Sequence, residues 1–138
     1  MTEVVAPSLI QFADPVPINI LVVDDEPAFC AIVCEILRIY GFAAHPANGV
    51  QQALELMKTI KPDMVLADVM MPEIDGLTLL RTIRSRSDWE SIPAIVISAK
   101  SAPEDFSAAF DAGANACLAK PFSASELRET VERFLYST

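Results

Sequence analysis

Basic residues are scarce: the 138-residue chain has 10 Lys and Arg against 19 Asp and Glu, a net charge of −9. This shortage argues against direct nucleic-acid binding, because a phosphate backbone needs a basic face. Apolar runs are short, and none reaches the ~20 residues of a membrane-spanning helix. The opening stretch MTEVVAPSLIQFADPVP has neither the basic start nor the continuous apolar core of a secretory signal, so a cytoplasmic protein without membrane insertion is expected. Cysteine and histidine are few as well. Cys30, Cys34 and Cys117 contain no C-x-x-C, and His45 is the single histidine, so no cysteine–histidine metal cluster can be assembled. The three thiols cannot all pair within one chain and read as reduced, buried small hydrophobes.

What is present is a well-filled apolar pattern, 52% hydrophobic and 21% charged residues, the balance of one globular domain. Pro7, Pro15 and Pro17 mark residues 1–17 as an extended arm before a domain at 18–138. Within that domain short apolar runs alternate with longer helical stretches. INILVV (Ile18 to Val23) reads as a strand buried on both faces. Pro27 suits a first helical position. Phe29, Ile32, Val33, Ile36, Leu37 and Tyr40 recur at helical spacing until Gly41 stops the helix. FAAH is a weaker strand, His45 before Pro46 reads as a loop residue, and Asn48 as the cap of a helix presenting Val50, Ala53, Leu54 and Met57.

MVLA (Met64 to Ala67) and AIVI (Ala94 to Ile97) are further strands, with a helix carrying Leu79, Leu80 and Ile83 between them. Two capping boxes, Ser101-x-x-Glu104 and Ser123-x-x-Glu126, open the last helices. Gly113 closes the first of these, and ACLA (Ala116 to Ala119) supplies a fifth strand. Regular alternation of strand and helix implies βαβ units: an α/β fold with a doubly wound parallel sheet.

Polar residues then fall where the strands end. Asp24 and Asp25 follow the first strand, Asp68 the third, Ser98 the fourth and Lys120 the fifth. Ligands of open parallel sheets bind beyond the carboxyl ends of the strands. If the first and third strands are neighbours, three carboxylates meet there. Their mutual repulsion calls for a cation, and oxygen ligands with room for water suit Mg²⁺. Lys120 and Ser98 then face an anion, which reads as a phosphoryl group.

The segments VVDDEP, LADVMMPEIDG, ISAKS and AKPF, in this order, resemble the receiver domain of two-component response regulators, and the resemblance covers Ile18 to about Leu135. It implies a flavodoxin-like sheet with strand order 2-1-3-4-5. It also implies that Asp68 is the phosphoacceptor for a phosphohistidine on a partner histidine kinase or phosphotransfer protein. Asp25, Asp68 and the backbone carbonyl of Met70 would ligate Mg²⁺, with Asp24 acting through water. Ser98 would bond the transferred phosphoryl group, Lys120 would pair with its charge, and Lys120-Pro121 would be a cis peptide. The expected output is a changed affinity for a protein partner, or for a second copy, at the face formed by the fourth helix, fifth strand and fifth helix. The chain is expected not to be a turnover enzyme, although it assists its own phosphorylation and dephosphorylation.

Each residue alone has a plainer reading. Asp24 and Asp25 could be acids near a helix start, Ser98 a strand-end hydroxyl, Lys120 a solvated lysine and Asp68 the start of a turn. Their joint placement at the strand ends carries the functional reading. Departures from the family pattern are Cys117, where an aromatic is usual, and Met70 and Lys100 at positions that vary within the family. An aspartyl-phosphate phosphatase would need a second acid two residues after Asp68, where Met70 stands. An unphosphorylated interaction module would have no need to retain every site residue. A phosphorelay intermediate, or the receiver part of a larger regulator or hybrid kinase, is compatible with the same residues. The sequence ends at Thr138, so a separate output domain is not expected within it.

Overall fold

A computed structural model describes residues 16–68, 76–99 and 103–136. The elements run β1 (Asn19–Val23), α1 (Pro27–Ile39), β2 (Ala43–Ala47), α2 (Val50–Ile60), β3 (Met64–Asp68), α3 (Gly76–Ser85), β4 (Ala94–Ser98), α4 (Pro103–Ala112), β5 (Ala116–Ala119) and α5 (Ala124–Leu135). The five strands form one sheet in the order β2-β1-β3-β4-β5. All four pairings are parallel. This is the doubly wound arrangement expected from the alternation of strands and helices.

Strand side chains alternate between two buried layers. Ile20, Val22, Met64, Leu66, Ile95 and Ile97 face Cys30, Val33, Leu37, Leu127 and Val131 of α1 and α5. Leu21, Val23, Val65 and Ala67 face Val50, Ala53, Met57, Leu79 and Ile83 of α2 and α3. A smaller cluster of Leu80, Ala94, Val96, Ala109 and Ala112 seats α4. β3 and β4 are buried along their whole length, as strands covered on both faces require.

The local signals that set these elements are mostly those expected. Pro27 occupies the first turn of α1, where its missing N–H costs nothing. Gly41, at φ +95° just beyond α1, adopts a conformation that other residues reach only with strain. The Ser123–Glu126 capping box is complete, with the Glu126 N–H donating to Ser123 Oγ (3.0 Å) and the Ser123 N–H to Glu126 Oε1 (2.8 Å). The Ser101–Glu104 box, Lys100, Met70 and residues 1–15 of the arm lie outside the described residues.

Three expectations are corrected. His45 is in strand β2, not a loop, and its Nε2 is 3.0 Å from Asn19 Oδ1; its neighbour Pro46 is tolerated because β2 is an edge strand. Gly49, not Asn48, is the N-cap of α2, and the Asn48 N–H instead donates to Gln52 Oε1 at 2.8 Å. Ile32, placed by spacing on the inner stripe of α1, is 57% exposed. The buried face consists of Cys30, Val33, Cys34 and Leu37, so the two thiols are the small hydrophobes at its centre. The Cys30 thiol donates weakly to the Val22 carbonyl at 3.6 Å. Its hydrogen bonding with Cys34 and its burial push it well above the ordinary thiol range.

Candidate functional site

The functional side chains stand at the carboxyl ends of four strands. Asp24 follows β1, Asp68 and Ser98 are the last residues of β3 and β4, and Lys120 follows β5. Because β1 and β3 are adjacent, with Val23 level with Ala67, Asp24 and Asp68 emerge side by side. Carboxylate oxygens of Asp24, Asp25 and Asp68 lie within 4.8 Å of one another. Asp24 and Asp68 are buried, while Asp25 reaches solvent.

Several contacts fix these groups. The Asp24 N–H donates to the Ala47 carbonyl at 3.0 Å, and Asp24 Oδ1 accepts from the Glu26 N–H at 2.8 Å. Lys120 enters from the far side of the sheet. Its backbone N–H donates to the Ser98 carbonyl at 2.9 Å, and its Nζ donates to Asp68 Oδ2 at 3.0 Å. The same ammonium stands 3.8 Å from Asp24 Oδ2. The Lys120–Pro121 peptide is cis.

The electrostatics are unbalanced. Among the described residues, the Lys120 ammonium faces three carboxylates gathered in a partly dehydrated pocket. Burial pushes the Asp24 carboxyl above its ordinary range; the hydrogen bond from Glu26 opposes this, and the neighbouring Asp68 adds to it. Such a group gains from a hard divalent cation, which screens the repulsion and accepts oxygen ligands together with water. The donor set therefore fits Mg²⁺, and Asp25 is the solvent-facing carboxylate of the three.

Phe29 belongs to this site, although its spacing marked it only as part of the α1 stripe. Lys120 Nζ is 3.9 Å from the centre of its ring, and Phe122 meets the same ring edge-on at 6.0 Å. Its position two residues after Pro27, on the first turn of the helix following the acids, was the available signal.

The sequence pattern of the response regulator receiver domain matches residues 20–132. The chain belongs to this family. It is a receiver domain of a two-component response regulator. Among its relatives, response regulator MprA of Mycolicibacterium vanbaalenii is 37% identical over 122 residues, covering 88% of this chain and 52% of MprA. The KDP operon transcriptional regulatory protein KdpE of Escherichia coli is 37% identical over 110 residues, covering 80% of this chain and 48% of KdpE. The receiver thus spans about half the length of these relatives. The structure of Vibrio cholerae chemotaxis protein CheY4 superposes with a TM-score of 0.83 at 25% identity, over 86% of this chain and 99% of that one. Among the described residues no helix is long and apolar enough to cross a membrane.

Proposed function

We propose that this receiver is a phosphoacceptor switch in which Asp68 takes a phosphoryl group from a phosphohistidine of a partner kinase or phosphotransfer protein. The observation that carries this reading is the position of Asp68 Oδ2, 3.0 Å from the Lys120 ammonium and within a cluster of three carboxylates. A carboxylate oxygen of Asp68 attacks phosphorus while the P–N bond to histidine breaks, and the electron pair returns to the imidazole. The chain's part in this transfer is alignment and charge neutralisation.

Asp25 and Asp68, with the backbone carbonyl of Met70, would hold Mg²⁺, and Asp24 would reach it through water. When bound, the ion neutralises phosphoryl oxygens and helps align the donor. Lys120 pairs with the phosphoryl charge that replaces the carboxylate charge it now meets. Ser98, anchored to Lys120 through the backbone, presents its hydroxyl to a phosphoryl oxygen. The product is an aspartyl phosphate that hydrolyses, so the state is transient and the chain is a switch, not a turnover enzyme. The phosphorylated form then differs in affinity for a protein partner, or a second copy, at the α4–β5–α5 face.

A second reading is favoured by the extra length of MprA and KdpE: the receiver acts as one part of a longer regulator whose remaining part carries the output.

Incubating the chain with Mg²⁺ and a small acyl-phosphate donor tests the proposal by intact mass. One phosphoryl group is expected, stable in acid and lost to hydroxylamine, and Asp68→Ala is expected to carry none. Labelling of Asp68→Ala at the native rate would overturn it.

A further inference from the structure

At the opposite end of the sheet, before β3 and β4 begin, a cleft of about 530 Å³ lies between the end of α2 and the loop after α3. Lys58, Lys61 and Arg86 line it, beside apolar surface from Met57, Trp89 and Ile92. Three of the 10 basic residues of an acidic chain therefore share one cleft. Asp88 is the single acid lining it among the described residues, and it is occupied in an ion pair with Arg86 at 3.1 Å. Lys58 and Lys61 have no ion pair among the described residues.

The walls are fixed before any ligand arrives. Arg84 Nη1 donates to the Glu90 carbonyl at 3.0 Å and to the Ile92 carbonyl at 2.7 Å, pinning the loop that carries Trp89. The Trp89 and Ile92 N–H groups close successive turns onto Arg86 and Trp89 at 3.1 and 3.0 Å. Arg86 lies over the Trp89 ring at 4.0 Å, while Trp89 and Met57 are buried beneath. On the other wall, Lys61 holds φ +49° at the end of α2, a conformation glycine adopts without strain. Complementing the negative end of the α2 dipole explains a cation at Lys58. It explains neither Arg86 across the cleft nor the apolar floor.

We propose that this cleft binds a small organic anion carrying two or more negative charges on an apolar body. Lys58 and Lys61 hold the charges, and Ile92 and the Arg86–Trp89 stack receive the body over a floor backed by buried Met57. The volume is that of small-molecule sites, which are preformed and combine apolar lining with a few charged groups. This inference is independent of phosphorylation at Asp68.

Trp89 is the chain's single tryptophan, so its fluorescence reports on the cleft wall. The full chain, in metal-free buffer, is titrated with pyrophosphate, phenyl phosphate and benzene-1,2,4-tricarboxylate. A saturable change is expected with at least one aromatic anion, more tightly than with pyrophosphate; preference between phenyl phosphate and the tricarboxylate identifies the charged group. The double variant Lys58→Gln/Lys61→Gln, checked for an unchanged melting temperature, is expected to bind at least tenfold more weakly. Lys120→Ala is expected to keep the response, placing the ligand away from the acidic site. No saturable response to any probe, unchanged affinity in the double variant, or a response confined to pyrophosphate would overturn the proposal.

Discussion

The Lys120 ammonium rests 3.9 Å above the Phe29 ring while it donates to Asp68 at 3.0 Å. The ring supports a lysine that reaches into an acidic pocket from β5, at the edge of the sheet. A partly buried cation over a phenyl face contributes ~0.5–2 kcal/mol. Phe29→Leu preserves much of the packing and removes that attraction. We expect phosphorylation by a small acyl-phosphate donor to slow about three- to tenfold, with a larger loss in Lys120→Ala. An unchanged rate in Phe29→Leu would reduce the ring to a packing element.

The acidic cluster is expected to make stability depend on pH and on added metal together. Burial raises the folded-state pKa of Asp24 above its ordinary 3.8. Between these two values the folded state holds a proton that the unfolded state has lost, so stability falls as pH rises. The cost is complete above the folded pKa and absent below the unfolded one. Without metal at neutral pH, Asp24→Asn is therefore expected to be more stable than the native chain, read as a higher Tm. The advantage is expected to vanish below pH 3.8. Excess Mg²⁺ is expected to raise the Tm of the native chain by linkage and that of Asp25→Ala much less. Equal metal responses in the two would remove Asp25 from the metal site.

The sheet and the acidic site were legible because both follow from periodic or terminal features. Apolar runs such as Ile20–Val23 cannot end in Asp24 and Asp25 without a reason, and the parallel order brings Asp68 beside them. What the sequence hid depends on side-chain reach. Phe29 satisfies the helical stripe equally well whether it touches the core or Lys120. Among the described residues β2 has only one strand neighbour, so Ala43–Ala47 shows little burial pattern and His45 resembled a loop residue. Arg84 on an amphipathic helix looks like a solvated cation.

In fact Arg84 clasps the end of α4 to the rest of the fold. Its Nε donates to the Gly113 carbonyl at 2.9 Å and its Nη2 to Asn115 Oδ1 at 2.8 Å, in addition to its bonds to Glu90 and Ile92. Hydrogen bonds from a charged donor contribute ~1.5–3 kcal/mol each when unshared with water. Arg84→Met is expected to lose about 2–3 kcal/mol in denaturant unfolding, reflecting its partial exposure. Gly113→Ala is expected to lose about 1–3 kcal/mol, since Gly113 holds φ +115° and its added Cβ would meet Arg84 Cγ at 2.5 Å. Loss below 0.5 kcal/mol in both would show that this junction yields freely.

That clasp bears on how a phosphorylated site could signal. Cys117 lies half-buried on β5 against the cluster of Leu80, Ala109, Ala112 and Ala114. It supplies no ring at a place where an aromatic is usual in the family. The described part of α4 rests on alanines and leaves Phe110 50% exposed. Among the described side chains of α4 the buried ones are Ala109 and Ala112, which interlock little against a shift of the helix, whereas Arg84 holds its final turn. We therefore expect the aspartyl phosphate to move α4 about a fixed C-terminal end, biasing two packings that a partner distinguishes by affinity. Hydrogen exchange with and without a beryllofluoride phosphoryl mimic checks this. Changed protection is expected at Ser98 and through residues 103–110, with Gly113 to Asn115 unchanged; in Arg84→Met the change is expected to extend through Gly113. Silence from 103 to 119, with changes limited to residues beside Asp68, would mean that the signal leaves by another face.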